Sequence, residues 1–403
     1  MNDKVSQMQD IKLTVSALMI SGYKNDELIR CMYNAENEDP ETALSAYMRL
    51  CEILYASRQT LSGYIFAMAC EKGGSLFDPL PSDTSHDAGA VIKRECDLLS
   101  RLASVTAEEL IGKVRGKSGA VSNIELPVFE NGSTPISADS VSSFRRKYGS
   151  VFFKENKAFI YENDRLLPVK RFDRIALSDL KNYETQRNAV INNTRCFIGG
   201  QKYNNILLYG DRGTGKSATV KAVVNEYPEL RIVLVPKCSV MKLYDIYDAL
   251  CPVPLKFILF MDDISFSDND PEFGFMKQVL EGSVSVMPNN CMICATTNRR
   301  HIIRETSSGE SDESHEADAC DERTALADRF GLYLTFFRPD KRGYLDIVRK
   351  IAADRKINIP DERLSALAER FSLRKANRSP RTARQFCDMV EARLALGIDP
   401  ENI

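Results

Sequence analysis

The chain has no tryptophan and only three histidines among its 403 residues. So few imidazoles leave little material for a histidine-based metal centre. A surplus of one charge is missing as well: 54 Lys and Arg stand against 56 Asp and Glu, a net charge of -2. A protein that holds nucleic acid by its overall field needs a basic excess, so only a local patch could do this here. The stretch Leu13–Ile20 is apolar but too short to span a bilayer, and Thr14 and Ser16 interrupt it. Nothing at the start reads as a signal peptide. The eleven cysteines are dispersed, with no disulfide framework in their spacing. These absences predict a soluble, reduced, cytoplasmic protein that does not enter a membrane. What remains is globular composition, 43% hydrophobic and 27% charged. The length predicts two or three domains.

From Met1 to about Val121 the apolar spacing is helical, as with Leu28, Met32 and Tyr33, or Ile92, Leu99, Leu102 and Ala103. The run PLPSDTSHDAG, Pro79–Gly89, reads as a loop inside it. A second loop, Glu130–Ser140, is rich in Ser, Pro and Gly and predicts a linker. SVFFKENKAFIYENDRLLPVKRF then reads as two or three strands with turns at Glu155-Asn156 and Asn163-Asp164. After Leu180 the pattern changes. Apolar strands at Asn205–Tyr209, Arg231–Val235, Phe257–Met261, Cys291–Thr296 and Leu332–Phe336 alternate with helical segments. Strands that are apolar throughout are buried on both faces, which predicts a parallel sheet covered by helices. From Lys341 onward three helices are expected, to Arg355, over Asp361–Phe371 and over Pro380–Leu396. The domain scheme is therefore 1–125 helical, 126–176 linker and small β section, 177–339 α/β, and 340–403 helical. The acidic, Ser-rich insert Glu305–Glu322 has almost nothing apolar to bury and predicts a mobile, solvated loop.

One motif carries chemistry by itself. GDRGTGKS, Gly210–Ser217, fits the phosphate-binding pattern G-x-x-x-x-G-K-[ST] at every fixed position, after a strand and before a helix. Gly210, Gly213 and Gly215 let backbone N–H groups turn inward around phosphate oxygens. Asp211, Arg212, Thr214 and Ala218 supply further backbone to that cradle, and the helix adds its positive end. Lys216 places a charge on the outer phosphates, and the Ser217 hydroxyl can ligate Mg²⁺. FILFMDD, Phe257–Asp263, is an apolar strand ending in two carboxylates. There Asp262 can hold the Mg²⁺ water shell and Asp263 can polarise an attacking water. In ATTN, Ala295–Asn298, the Asn298 amide ends a strand on the same side. A lone Asn there would be an ordinary turn residue, and its place after the carboxylate strand is what raises it. Cys291 and Cys294 form C-x-x-C, but inside an apolar strand and without a second pair they read as small buried hydrophobes. No Ser–His–Asp or Cys–His arrangement is present.

Taken in order, GDRGTGKS, FILFMDDIS, ATTNRRH, LADRFG and RSPRTARQF resemble the AAA+ ATPases over roughly Leu177 to the C-terminus. Within them the sequence looks most like an uncharacterised bacterial ATP-binding family, domain of unknown function 815. The stretch DLKNYETQRNAVINNTRCFIGGQKYNNILLYGDRGTGKSATVKAVVNEY carries that likeness. The Asp-Asp strand end and DRFG also resemble the bacterial replication initiator and helicase-loader branch. The resemblance implies a five-stranded parallel sheet in the order 5-1-4-3-2 with a C-terminal helical lid. It implies that Asn298 is a first sensor and that Arg329 is an arginine finger reaching a neighbouring subunit. It also implies that Arg381, with Arg384 as fallback, is a lid sensor of the γ-phosphate. Many AAA+ members carry Asp-Glu where this chain has Asp262-Asp263, which puts efficient hydrolysis in question. The less favoured alternative makes Arg329 a surface residue or a partner of Asp328, and Arg381 one member of a solvated basic run.

The expected function is therefore Mg-dependent ATP hydrolysis coupled to conformational change in a homo-oligomer, with ATP and Mg²⁺ as ligands. The alternative is a slow-turnover adaptor or loader that recognises a protein partner through its N-terminal half, or one associated with DNA. A small-molecule kinase fits less well, since no acceptor site is visible.

Overall fold

The computed structural model describes residues 10–73, 86–119, 121, 124–265, 270–281, 287–298 and 329–400. The acidic insert, Asp328 and His301 lie outside them. The chain divides into two units, Met1–Glu155 and Asn156–Ile403.

The first unit is helical: α1 (Ile11–Ala17), α2 (Ser21–Lys24), α3 (Glu27–Asn34), α4 (Pro40–Ser57), α5 (Leu61–Lys72), α6 (His86–Ala103), α7 (Ala107–Arg115), α8 (Ala138–Tyr148) and α9 (Val151–Glu155). Side-chain caps set the starts, because the first N–H groups of a helix have no partner within it. Asp26 accepts from the Leu28 and Ile29 amides, Asp39 from Thr42, and Thr106 forms a reciprocal capping box with Glu109. Leu28, Met32, Tyr47, Leu50, Leu99 and Leu110 meet in one core. Leu28 and Met32 are buried as their spacing predicts, whereas Tyr33 is exposed. Of the predicted loop Pro79–Gly89, residues 79–85 lie outside the description, and His86 already opens α6.

Two expectations are corrected here. The stretch Glu130–Ser140 is no linker between units. The Glu130 and Asn131 carbonyls accept from Leu61 and Ser62, satisfying the start of α5, and Ile136 sits in the core. In addition, VFFKE is the helix α9 rather than a strand. Val151 packs against the helical core, so tertiary contact outweighs the strand preference of the Phe pair.

The second unit holds β1 (Ala158–Glu162), β2 (Arg165–Pro168), α10 (Glu184–Ile198), β3 (Ile206–Gly210), α11 (Lys216–Glu226), β4 (Leu230–Leu234), α12 (Leu243–Leu250), β5 (Lys256–Met261), α13 (Pro271–Glu281), β6 (Cys291–Thr297) and β7 (Leu332–Phe336). Three helices close it: α14 (Lys341–Asp354), α15 (Asp361–Arg374) and α16 (Pro380–Ala395). Among the described residues the sheet has seven strands, not five, in the order β2-β1-β4-β5-β6-β3-β7. The five strands read from the sequence are neighbours within it, all parallel. The added pair is the small β section, which is not part of a separate N-terminal domain. Asn163 and Asp164, both at positive φ, turn β1 back into β2, and β1 pairs parallel with β4 through Ala158↔Ile232. Helices α14 to α16 bury a core of their own around Tyr344, Leu367, Phe371 and Phe386.

Candidate functional site

Strand β3 ends at Gly210, whose φ is 135° and where a Cβ would lie 2.2 Å from the Phe336 carbonyl oxygen. Only glycine fits between the two strands. The Asp211 N–H donates to that same carbonyl at 3.0 Å. Gly213 and Gly215 also take positive φ, and the loop turns into α11 at Lys216. Thr214 braces the turn by donating from Oγ1 to the Asp211 carbonyl at 2.8 Å. Lys216 is only 6% exposed. Its Nζ donates to the Gly210 and Asp211 carbonyls, at 2.8 and 2.9 Å, and to Asn298 Oδ1 at 2.9 Å. Burial pulls the Lys216 pKa down, while the carboxylates of Asp263, Asp211 and Asp262 work to hold the charge.

Beside this loop, β5 and β6 bring their ends together. Ser217 Oγ donates to Asp262 Oδ1 at 2.5 Å, and Thr296 Oγ1 donates to the same oxygen at 2.7 Å. The Thr296 hydroxyl in turn accepts from the Asp263 amide at 2.8 Å. The Asn298 side-chain amide donates to Asp263 Oδ1. One hydrogen-bonded chain thus runs from Ser217 through Asp262 and Thr296 to Asp263 and Asn298. The converging Ser217 hydroxyl and Asp262 carboxylate are the hard oxygen donors that Mg²⁺ takes, with waters and phosphates completing its octahedron. The donor set therefore fits that ion.

A cavity of about 580 Å³ opens over these groups. The phosphate loop from Arg212 to Ala218, Asp262, Asp263 and Asn298 form one wall. Ile175, Leu180, Tyr183, Ile347 and Ile351 form an apolar wall opposite in chemistry, able to take a flat aromatic ring. Tyr183 is fixed by its hydroxyl, which donates to the Phe337 carbonyl at 2.6 Å, and by ring contact with Phe336 at 4.9 Å. Arg381 and Arg384 both line the cavity from α16. The Arg381 amide donates to the Gly213 carbonyl at 3.2 Å, tying α16 to the phosphate loop.

The structure thus gathers the phosphate loop, Asp262, Asp263, Asn298 and Arg381 around one cavity. Arg329 is not among its lining residues. It pairs with Glu281 at the end of α13, Nε to Oε1 at 2.6 Å. Two contributions escaped the sequence: the Thr296 bridge and the apolar wall. The first depends on strand register, and the second uses residues that look like any core. Cys291 and Cys294 are buried within β6, and burial pushes the Cys291 thiol up to about 12.

The sequence model of a family described as "Protein of unknown function (DUF815)" matches residues 154–394, more than half of the chain. The chain belongs to this family. The matched stretch covers the α/β sheet and the three helices that follow it. Among solved structures, it is similar to the Thermotoga maritima RuvB Holliday junction branch migration motor. The two are 17% identical over 56% of this chain and 67% of that one, with a TM-score of 0.40. The FIGL-1 AAA domain in complex with ADP is 18% identical over 57% of this chain and 79% of that one, with a TM-score of 0.36. Likeness at that level carries nothing about activity. No curated protein matches in sequence.

Proposed function

We propose that this DUF815 protein binds Mg-ATP in the 580 Å³ cavity and hydrolyses it, using the free energy to change conformation within a homo-oligomer. One observation carries the reading: Lys216, Ser217, Asp262, Asp263 and Asn298 converge in a single hydrogen-bonded set around a phosphate loop. The loop amides and Lys216 cradle the β- and γ-phosphates, as in other P-loop proteins. Ser217 and Asp262 would hold Mg²⁺, which would supply positive charge to neutralise the phosphates. Asp263 orients and polarises the attacking water, and Asn298 holds the Asp263 carboxylate while reaching toward the same water. Arg381 meets the γ-phosphate from the lid. Arg329, outside the cavity of its own chain, serves a neighbouring subunit.

A second reading draws on Asp263 itself. Its side chain is shorter than the glutamate common at this position in AAA+ proteins and is already engaged by Asn298. That favours slow turnover and a nucleotide-gated adaptor whose partner meets the helical unit. Calorimetric titration with Mg-ATP tests what both readings share. Lys216→Ala should abolish binding, because it removes the main counter-charge of the outer phosphates. Unchanged affinity in that variant would end the nucleotide assignment.

A further inference from the structure

A second cavity, of about 410 Å³, adjoins the phosphate loop and is lined by Asp211, Arg212, Asp263, Ser265, Asn298 and Arg338, among others. It shares Arg212, Asp263 and Asn298 with the larger cavity. Asn298 also accepts from Lys216 Nζ at 2.9 Å. The groups assigned to the outer phosphates and the attacking water therefore stand between the two cavities. Arg338 belongs to the second one alone, and neither a motif nor the mechanism above employs it.

Its position is fixed by the backbone. Phe336, at the end of β7, lies opposite Gly210 in the β3 ladder. Two residues on, the Arg338 N–H donates to Asp211 Oδ2 at 2.8 Å. The Asp211 amide is itself bonded to Phe336. Strand end and phosphate loop are thus laced together on both sides of Asp211. The Arg338 Nε lies 3.9 Å from Asp211 Oδ1, and its side chain remains 46% exposed. A guanidinium has five donors in a planar fork. One contact to Asp211 leaves the rest of the fork for phosphate oxygens, the acceptors that it matches best.

We propose that Arg338 contacts the terminal phosphate of ATP bound to its own chain, and so sets the preference for a triphosphate over a diphosphate. The inference rests on the ATP reading given above. It differs from the assignments of Arg381 and Arg329, since Arg338 approaches from the second cavity rather than from the lid or a neighbour.

The test is calorimetric titration of the full chain with Mg-ADP and with the non-hydrolysable β,γ-imido analogue of Mg-ATP. Arg338→Ala keeps the backbone bond to Asp211 and removes an exposed side chain, so the fold should persist. Mg-ADP affinity should stay within about twofold of the wild type. Affinity for the imido analogue should fall about tenfold or more, as expected for one charge-assisted hydrogen bond to phosphate. Arg338→Lys should lie between them. Equal weakening toward both nucleotides would make Arg338 a mere support of the loop, and no change toward either would remove it from the site. A loss seen only in assembled protein, and not at concentrations where the chain is monomeric, would place its phosphate in the neighbour and overturn the assignment. A wild type that binds neither nucleotide would defeat the ATP reading itself.

Discussion

Asp263 adopts φ 53°, left-handed backbone that residues with a Cβ rarely take. The parallel ladder forces it there. Its amide must reach Thr296 Oγ1, the next amide reaches the Thr296 carbonyl, and its carboxylate still faces Asn298. Such positions cost on the order of 1–2 kcal/mol and persist where the surroundings over-determine them. Comparing two truncations isolates the backbone cost, since both lose the carboxylate. Asp263→Gly should be more stable than Asp263→Ala by about 1 kcal/mol in urea unfolding, and both should lose ATP turnover. Equal midpoints would mean that the strain is not imposed at this residue. The phosphate loop was legible because each step of its chemistry demands a residue type: glycine for positive φ, lysine for charge, serine for a hydroxyl. Thr296 was not legible. Its role arises from the register Met261↔Ala295, which places its hydroxyl between the Asp262 carboxylate and the Asp263 amide just beyond the end of β5.

Among the elements, β3, β5 and β6 could be read because burial on both faces leaves them almost wholly apolar. By contrast, β7 lies at the edge of the sheet with Tyr333 exposed, and two-sided burial does not explain it. The hairpin of β1 and β2 was seen as strands but not as part of the main sheet. Its turn is local chemistry, whereas the pairing of β1 with β4 joins segments far apart in sequence. Helix α13 and the start of β7 frame another question of this kind. Glu281, at the end of α13, holds Arg329 just ahead of β7. Side chains as exposed as these gain little from pairing, so the contact is no barrier to a stronger acceptor. A finger offered to a neighbour's γ-phosphate requires head-to-tail packing, as in a ring or filament, and is worth on the order of 10³ in rate. Arg329→Ala should therefore bind ATP nearly normally and lose turnover. Mixed with Asp263→Asn subunits it should regain some activity, because each variant supplies what the other lacks. A wild type that stays monomeric with ATP at high concentration, together with an Arg329→Ala variant that hydrolyses normally, would dismiss the intersubunit mechanism.

At the scale of the molecule, two boundaries fall together. The contact division lies between Glu155 and Asn156, and the family match begins at residue 154. The near-neutral chain, with a net charge of -2, gives no overall field to draw in a nucleic acid. Among the described residues no helix is long and apolar enough to cross a membrane. Every described residue lining either cavity comes from the second unit. That unit has its own sheet core around Leu208, Ile232 and Ile258, and helices α14 to α16 add a second core around Phe386. The first unit buries a different set, with Tyr23, Tyr47 and Leu99 among its members. Separate cores mean that each hydrophobic cluster is completed within one stretch of chain, the usual condition for independent folding. The fragment 156–403 should therefore fold by itself and bind Mg-ATP within about twofold of the full chain, measured by calorimetry. Whatever the helical unit contributes should then appear in turnover or in partner capture, not in nucleotide affinity. A fragment that folds, by its circular dichroism and cooperative unfolding, yet binds Mg-ATP more than about tenfold more weakly would show that the helical unit is part of the nucleotide site.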